Sequence, residues 1–325
     1  MASMTRNPEL DMDLVREAQR AIAGRIRETP VEESPALSEL AGAPVFLKLE
    51  CLQLTGSFKL RGAVRAIAAL PTAARAAGVV AASAGNHGAG LAAAAAAAGV
   101  RVHVVVPASA PAIKRARIAA LGATIEVGGD DYGAAEARAR ALAAQTGATF
   151  VSAFDDDQII AGNGAELGAE LARQCPELAR VLCPVGGGGL VGGLAAELAP
   201  RGVTVIGVQP QVNCAMHESL RLGRALTDYR GGATLCEGLE GAVAERTYEL
   251  CRRHVAEVAL VAEADVRRAV AFLFRDAGVV AEPSAAVVAA ALLTGAATPA
   301  PTGITVAVIT GGNIDDALLD AILAG

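Results

Sequence analysis

Four consecutive glycines, Gly186, Gly187, Gly188 and Gly189, follow the apolar run VLCPV and precede a stretch of helical length. Backbone N–H groups without side chains can close around a phosphate at a helix N-terminus, where the helix dipole favours an anion. The run also matches the dinucleotide pattern G-x-G-x-x-G, which needs an acidic residue at the end of the next strand. Gln209 stands there instead. The sequence therefore favours a single phosphate, and a purely structural glycine turn is the alternative.

Lys59 lies between Phe58 and Leu60 in the segment TGSFKLRG. Taken alone it could be an exposed helix residue. Close to a phosphate site it becomes a candidate nucleophile, because a desolvated lysine has a lowered pKa and can form an imine.

The segment SAGNHG, residues 83–88, combines short polar side chains with free backbone N–H groups. Such a segment suits a carboxylate or a ring hydroxyl, although it could equally cap the start of a helix.

Alternating β-branched runs and alanine-rich stretches predict the elements that position these segments. The alternation indicates parallel sheets covered by helices, an α/β fold, with strands buried on both faces. Ligands bind beyond the carboxyl ends of such strands, where the segments 83–88, 186–189 and 310–313 all fall. The predicted strands are Val45–Leu49, Val79–Ala82, Val102–Val106, Thr124–Val127, Thr149–Ser152, Val181–Pro184, Val203–Val208 and Thr305–Ile309, and the predicted helices include Ala112–Leu121, Ala134–Thr146 and Ile159–Gln174.

Seven motifs in a fixed order resemble the fold type II pyridoxal-phosphate enzymes, in particular the threonine/serine dehydratase and serine racemase group. They are KLECLQLTGSFKLRGA, SAGNHGAG, IAGNGAELGAE, PVGGGGLVGG, CEGLEGA, AEPSAA and ITGGN. The resemblance implies a two-lobed, open, twisted parallel-sheet fold like that of tryptophan synthase β. It also implies a large cofactor-binding lobe, residues 1–59 plus 151–325, and a small inserted lobe, residues 60–150.

The same resemblance implies pyridoxal 5'-phosphate as cofactor, with Lys59 as the catalytic residue that holds it as a Schiff base and later removes the α-proton. The implied reaction eliminates water from L-threonine or L-serine and yields a 2-oxo acid and ammonia. The residues implied to contact the cofactor are Phe58, Lys59, Asn86, Gly186, Gly187, Gly188, Gly189, Gly238, Glu282 and Thr310, and those implied to frame the substrate carboxylate are Ser83, Ala84, Asn86 and His87.

Two departures from the family pattern carry further expectations. Racemases of the group have a serine where Ala84 stands, and alanine has no transferable proton, so dehydration without efficient racemisation is expected. Metal-activated relatives carry carboxylates where Gln209 and Ala215 align. Because hard divalent cations require anionic oxygen ligands, no metal is predicted at this site.

Composition narrows the remaining possibilities. The 53% hydrophobic content of 325 residues excludes disorder, and a net charge of −6 argues against nucleic-acid or anionic-membrane partners. The N-terminal stretch MASMTRNPELDMDLV has no signal-peptide core, no run suits a membrane span, and the six cysteines show no paired spacing. A cytoplasmic enzyme with reduced thiols is therefore expected, and a homodimer is implied by the resemblance. The alternatives are a related lyase acting on hydroxyaspartate, phenylserine or a cysteine precursor, a nucleotide-binding dehydrogenase, and an inactive cofactor-binding protein.

Overall fold

The computed structural model describes residues 9–325, and its strands form two separate sheets. The first sheet has the order β1-β2-β10-β7-β8-β9, and all of its pairings are parallel except that of β1 with β2. The second sheet, β5-β4-β3-β6, is parallel throughout. The strands are β1 Val31–Glu33, β2 Val45–Leu49, β3 Val79–Ala82, β4 Val102–Val106, β5 Thr124–Val127, β6 Thr149–Phe150, β7 Leu178–Pro184, β8 Thr204–Pro210, β9 Glu257–Val261 and β10 Ile304–Ile309.

Helices connect the parallel strands and cover both sheets. They are α1 Met12–Ile22, α2 Pro35–Ala41, α3 Lys59–Ala69, α4 Thr72–Ala77, α5 Asn86–Ala97, α6 Ala112–Ala120, α7 Tyr132–Thr146, α8 Asp157–Ile160, α9 Glu166–Gln174, α10 Gly189–Leu198, α11 Ala215–Leu222, α12 Glu245–His254, α13 Glu263–Arg275, α14 Pro283–Thr294 and α15 Asp316–Ala324.

All eight predicted strands are confirmed, with bounds that move by at most three residues. The strands β1 and β9 were not predicted from the sequence, and they are the two edges of the larger sheet. Edge strands lie partly in solvent: β1 has no buried residue, and β9 begins with the exposed Glu257. β1 therefore lacks the continuous apolar run that marks a strand buried on both faces, whereas β9 has one at residues 258–261 that the sequence analysis passed over.

The predicted helix Ile159–Gln174 is interrupted by a π-helical turn, Ala161–Ala165, between α8 and α9. Two glycines of this turn lie against neighbouring helices. A Cβ on Gly162 would lie 2.8 Å from the Cα of Gly62 in α3, and one on Gly164 would lie 2.4 Å from the carbonyl oxygen of Leu190 in α10. The wide turn thus lies at the contact between α3 and α10.

Two further expectations concern the thiols and the membrane. The six cysteines all lie within residues 9–325 and are free, and five of them are buried. In this described range no helix is long and apolar enough to cross a bilayer. The prediction that the N-terminus carries no signal peptide concerns a stretch whose first eight residues lie outside the described part.

Candidate active site

A cleft of about 2140 Å³ opens beyond the carboxyl ends of the strands of both sheets. It is lined by the three segments singled out in the sequence and by the start of α3. Among its lining residues are Phe58, Lys59, Ser83, Ala84, Asn86, His87, Gly186, Gly187, Gly188, Gly189, Gly238, Glu282 and Thr310. The structure therefore brings every predicted site residue to one cavity.

The glycine loop has the form of an anion cradle at the N-terminus of α10. Gly188 caps this helix with a φ of +91°, a conformation that favours glycine. Within the described residues, the amides of Gly186–Gly189 donate no hydrogen bond to another group. A Cβ on Gly187 would lie 2.5 Å from the ring of Phe154, and one on Gly189 would lie 2.6 Å from the Phe154 carbonyl oxygen. The loop thus offers free N–H donors where side chains would not fit.

Lys59 is the first residue of α3. Its side chain points to the segment that follows β6 of the smaller sheet. Its Nζ donates to the carbonyl oxygen of Ala153 at 2.9 Å. A Cβ on Gly90 of α5 would lie 3.1 Å from the backbone at Lys59, so α5 packs closely on the start of α3. Burial lowers the pKa of Lys59 to about 8 and outweighs the opposing effect of the Glu282 carboxylate. The amine is therefore available in its neutral form near neutral pH.

Asn86 joins Glu282 and Asn313 in a chain of hydrogen bonds beside Lys59. Its Nδ2 donates to Glu282 Oε1 at 2.7 Å, and its Oδ1 accepts from Asn313 Nδ2 at 2.6 Å. Burial raises the pKa of Glu282 to about 7, although the hydrogen bond from Asn86 opposes this rise. The chain fixes the orientation of the Asn86 amide and leaves one of its N–H groups for a ligand.

His87 lies in the first turn of α5, Ser83 lies three residues before that helix, and both are buried. The Nε2 of His87 donates to the carbonyl oxygen of Val151 at 3.1 Å, and its Nδ1 is buried with no hydrogen-bond partner in the described chain. Burial and, secondarily, the charge of Lys59 lower the pKa of His87 to about 3, so the ring is neutral. Ser83 Oγ accepts from the amide of Gly85 at 3.1 Å. With Nε2 carrying the proton, Nδ1 of this neutral ring can only accept a hydrogen bond.

The remaining predicted residues complete the walls of the cleft. The Phe58 amide donates to the carbonyl oxygen of Thr310 at 3.1 Å, which ties α3 to the end of β10. The Phe58 ring centroid lies 5.0 Å from Lys59 Nζ. The amide of Gly238 already donates to Ser284 Oγ at 2.9 Å. A Cβ on Gly238 would lie 3.0 Å from the same Oγ, so a side chain would be crowded there.

A sequence profile of the pyridoxal-phosphate-dependent enzymes matches residues 22–311. The chain belongs to this family. It is 39% identical over 318 residues to the L-threonine ammonia-lyase of Thermotoga maritima, with 97% of this chain and 78% of that protein covered. It is 35% identical over 308 residues to the catabolic L-threonine dehydratase TdcB of Escherichia coli K12, with 94% and 93% covered. Maize serine racemase has a similar structure, with a TM-score of 0.90, 30% identity and 97% of each chain covered.

Pyridoxal phosphate is the cofactor of this family, and the site residues fit its two recognition features. The free amides of Gly186–Gly189 match a phosphate, and the desolvated Lys59 matches an aldehyde carbon. The expected α/β fold with parallel sheets and the pyridoxal-phosphate family are both confirmed.

Two functional groups of the site were missed in the sequence. The Ala153 carbonyl oxygen holds Lys59 Nζ, and the Phe154 ring lies over Gly187. Their segment, SAFDDD, carries no glycine or lysine signal. Only its position after the short strand β6 could have pointed to it.

The position where metal-activated relatives carry a carboxylate holds an amide whose hydrogen bonds are satisfied within the protein. Gln209 is buried, and its Nε2 donates to the Val185 carbonyl oxygen at 3.2 Å. Its Oε1 accepts from the His217 amide at 3.0 Å. Within residues 9–325, no cluster of three or more His, Cys, Asp or Glu residues has metal-binding geometry.

Proposed function

We propose that this enzyme eliminates water from L-threonine, L-serine or both and releases a 2-oxo acid and ammonia. The observation that carries the proposal is the Lys59 amine held against the Ala153 carbonyl in the same cleft as the glycine cradle. The names of the relatives, L-threonine ammonia-lyase and L-threonine dehydratase, support this substrate class.

Pyridoxal phosphate, when bound, supplies an electron sink for the negative charge that develops at the substrate α-carbon. Lys59 would hold it covalently, and the amides of Gly186–Gly189 would bind its phosphate. The residues that would surround its ring are Phe58, Asn86, Gly238, Glu282 and Thr310. Thr310 offers a neutral hydroxyl, which cannot hold a pyridine nitrogen protonated as a carboxylate would. We expect this choice of residue to favour elimination over transamination.

Lys59 Nζ also serves as the base that removes the α-proton. A lysine with its ordinary pKa of 10.5 is almost fully protonated at neutral pH, whereas one with a pKa of about 8 is partly neutral. The Ala153 carbonyl orients the amine by accepting its hydrogen bond. The required proton acceptor is thus present at physiological pH without a second base.

The substrate carboxylate would bind at the start of α5. The Ser83 hydroxyl, the Asn86 amide and the backbone N–H groups of this helix start face the cleft, and the helix dipole favours an anion there. The neutral His87 adds no positive charge to this part of the cleft. Ala84, in the same segment, supplies no acid or base.

Closure of two lobes over the cleft forms part of this proposal. The lobes are residues 1–59 plus 151–325, which contain the larger sheet, and residues 60–150, which contain all four strands of the smaller sheet. Lys114 of α6 pairs with Glu237 across the cleft, and Arg117 of α6 donates to Asn313 Oδ1 at 2.8 Å. These contacts between lobes support a closed state that excludes water. A homodimer and a cytoplasmic location remain expectations from the family resemblance.

The purified protein tests the proposal directly. We expect a visible absorption band from lysine-bound cofactor, formation of a 2-oxo acid from L-threonine or L-serine, and loss of both in Lys59→Ala. Lys114→Ala, which removes another lysine of the same cleft, should keep the band. A band without turnover would redirect the search to hydroxyaspartate or phenylserine. No band after incubation with pyridoxal phosphate would refute the proposal.

A further inference from the structure

A buried charge cluster lies next to Lys59 and has no part in the function proposed above. Arg61, two residues further along α3, is fully buried. Its guanidinium donates to Glu50 at 2.7 and 2.8 Å, to Glu166 at 2.6 Å and to Glu170 at 2.8 and 3.0 Å. All of its hydrogen-bonding nitrogens are engaged by carboxylates.

The cluster also contains Lys48, which pairs with Glu170 and donates to the carbonyl oxygen of Thr29 at 2.6 Å. Two cations thus face three carboxylates in the protein interior. Removing these charges from water is costly, and well-packed apolar residues often stabilise a fold as well as a buried ion cluster does. Stability alone is therefore a weak reason for the cluster, and its geometry indicates another role.

Two groups of contacts join the first turn of α3 to one continuous segment, residues 151–170. Lys59 Nζ donates to the Ala153 carbonyl oxygen, and Arg61 donates to Glu166 and Glu170. The start of α3 is thus attached to both ends of residues 151–170, near Ala153 by Lys59 and near Glu166 by Arg61. A shift of α3 along this segment would break the Arg61 contacts and move Lys59 Nζ away from Ala153.

A third contact lies between these two, in the π-helical turn Ala161–Ala165. The Asn163 Oδ1 accepts from the amide of Gly62 in the first turn of α3 at 2.8 Å. Asn163 is itself buried. Gly62 and Gly162 lie so close that a Cβ on Gly162 would reach the Gly62 Cα at 2.8 Å. The turn therefore fixes the register of the two backbones next to Lys59.

We propose that Arg61 and Asn163 are positioning residues that set the register of α3 on residues 151–170 and thereby hold the Lys59 amine at its place in the cleft. Neither residue lines the cleft, so both act through Lys59. The inference rests on the proposed role of Lys59 but not on the identity of the amino acid substrate.

Asn163→Ala tests this role with two readouts. The first is the rate at which cofactor-free protein captures pyridoxal phosphate on Lys59, trapped by borohydride and located by mass spectrometry. The second is the division of the effect between kcat and KM. Displacing a catalytic group lowers the reaction rate far more than it lowers substrate affinity. We therefore expect both the capture rate and kcat to fall about tenfold or more. KM should change less than about twofold.

Arg65→Met is the matched control. Arg65 lies one turn further along α3 and is 5% exposed, but its ion pair is with Glu17 of α1. This variant should lose stability and keep both rates. Arg61→Lys is the second test variant, because it keeps the buried positive charge but loses the two-pronged contact with Glu50. We expect a folded protein with a reduced capture rate.

Two outcomes would overturn the inference, and they can be told apart. If Asn163→Ala and Arg61→Lys lose stability as Arg65→Met does but capture the cofactor at the wild-type rate, the cluster is purely structural. If the wild-type protein itself fails to capture pyridoxal phosphate on Lys59, the proposed function fails and the positioning role fails with it.

Discussion

Replacing Glu282 with glutamine should make the Lys59 amine reactive at lower pH in the cofactor-free protein. Burial disfavours the ammonium form and lowers the pKa of Lys59 to about 8, while the Glu282 carboxylate favours the ammonium form and opposes this shift. Glu282 has a pKa of about 7, so it is mostly ionised where Lys59 titrates. Glutamine removes that charge, and the pKa of Lys59 should therefore fall below 8.

The size of the effect follows from the two pKa values of the lysine. At about pH 7.4, an amine with a pKa of about 8 is roughly 20% neutral, whereas one with the ordinary value of 10.5 is roughly 0.1% neutral. The neutral fraction of Lys59 is thus roughly 200 times that of an unperturbed lysine at this pH. If Glu282→Gln lowers the pKa of Lys59 by one further unit, the neutral fraction at a pH below the wild-type midpoint rises by at most about tenfold.

Competitive acetylation with acetic anhydride measures this titration without any cofactor. The sequence has only three lysines, Lys48, Lys59 and Lys114, so mass spectrometry resolves each one. Labelling of Lys59 should rise with pH to a plateau, with a midpoint at about 8 in the wild type and lower in Glu282→Gln. Glu240→Gln, which removes another carboxylate of the cleft, should leave the midpoint unchanged. A wild-type midpoint near 10.5, or no shift in Glu282→Gln, would refute the reasoning.

Three further predictions concern the cradle, the proton donor and the metal. Gly187→Ala should weaken cofactor binding by about 1–3 kcal/mol because its Cβ overlaps the Phe154 ring, and Phe154→Ala in the same chain should restore part of that loss. Titration with pyridoxal phosphate measures both affinities. The control is Gly133→Ala, whose Cβ would make only an ordinary contact at 3.5 Å. An equal loss of affinity with and without the Phe154 ring would contradict the overlap. Ala84→Ser should convert L-serine to D-serine, whereas the parent should form little, and chiral chromatography measures the difference. A parent that racemises as fast as it eliminates would show that position 84 is not decisive. Dialysis against EDTA should leave the elimination rate unchanged because Gln209 offers no carboxylate, and a loss that Mg²⁺ restores would contradict this.

The sequence predicted those parts of the fold that depend on local pattern. The strands β3, β4 and β10 are almost entirely apolar because nearly all of their residues are buried, and they were placed within a residue. The edge strand β1 was missed because solvent replaces one neighbour and two of its three residues are glutamate, whereas β9 was missed although residues 258–261 are all apolar. The helix 159–174 was predicted without its π-helical turn, because that turn lies at a contact with α3, whose position no local pattern shows.

The site residues also fall into those that a local sequence pattern reveals and those that it does not. The glycine loop and the lysine motif were found in the sequence because the chemistry of each is carried by a few adjacent residues. The Phe154 ring, the Ala153 carbonyl and the Asn163 amide were not found, since their partners lie about 33 to 101 positions away along the chain. A backbone carbonyl has no residue signature at all, so its contact with Lys59 appears only when the two sheets are assembled.

The reactivity of Lys59 belongs to this second class. The lysine motif names a nucleophile, but its pKa is lowered by desolvation, which depends on helices that pack around it. One such contact is Gly90 of α5, where a side chain would press on the backbone at Lys59. A protein could therefore keep the whole motif and lose the chemistry if α5 moved away from α3. By this reasoning, Gly90→Ala should raise the midpoint of Lys59 acetylation towards 10.5 although it changes neither the lysine nor any charge, and an unchanged midpoint would show that the packing of α5 does not control the amine.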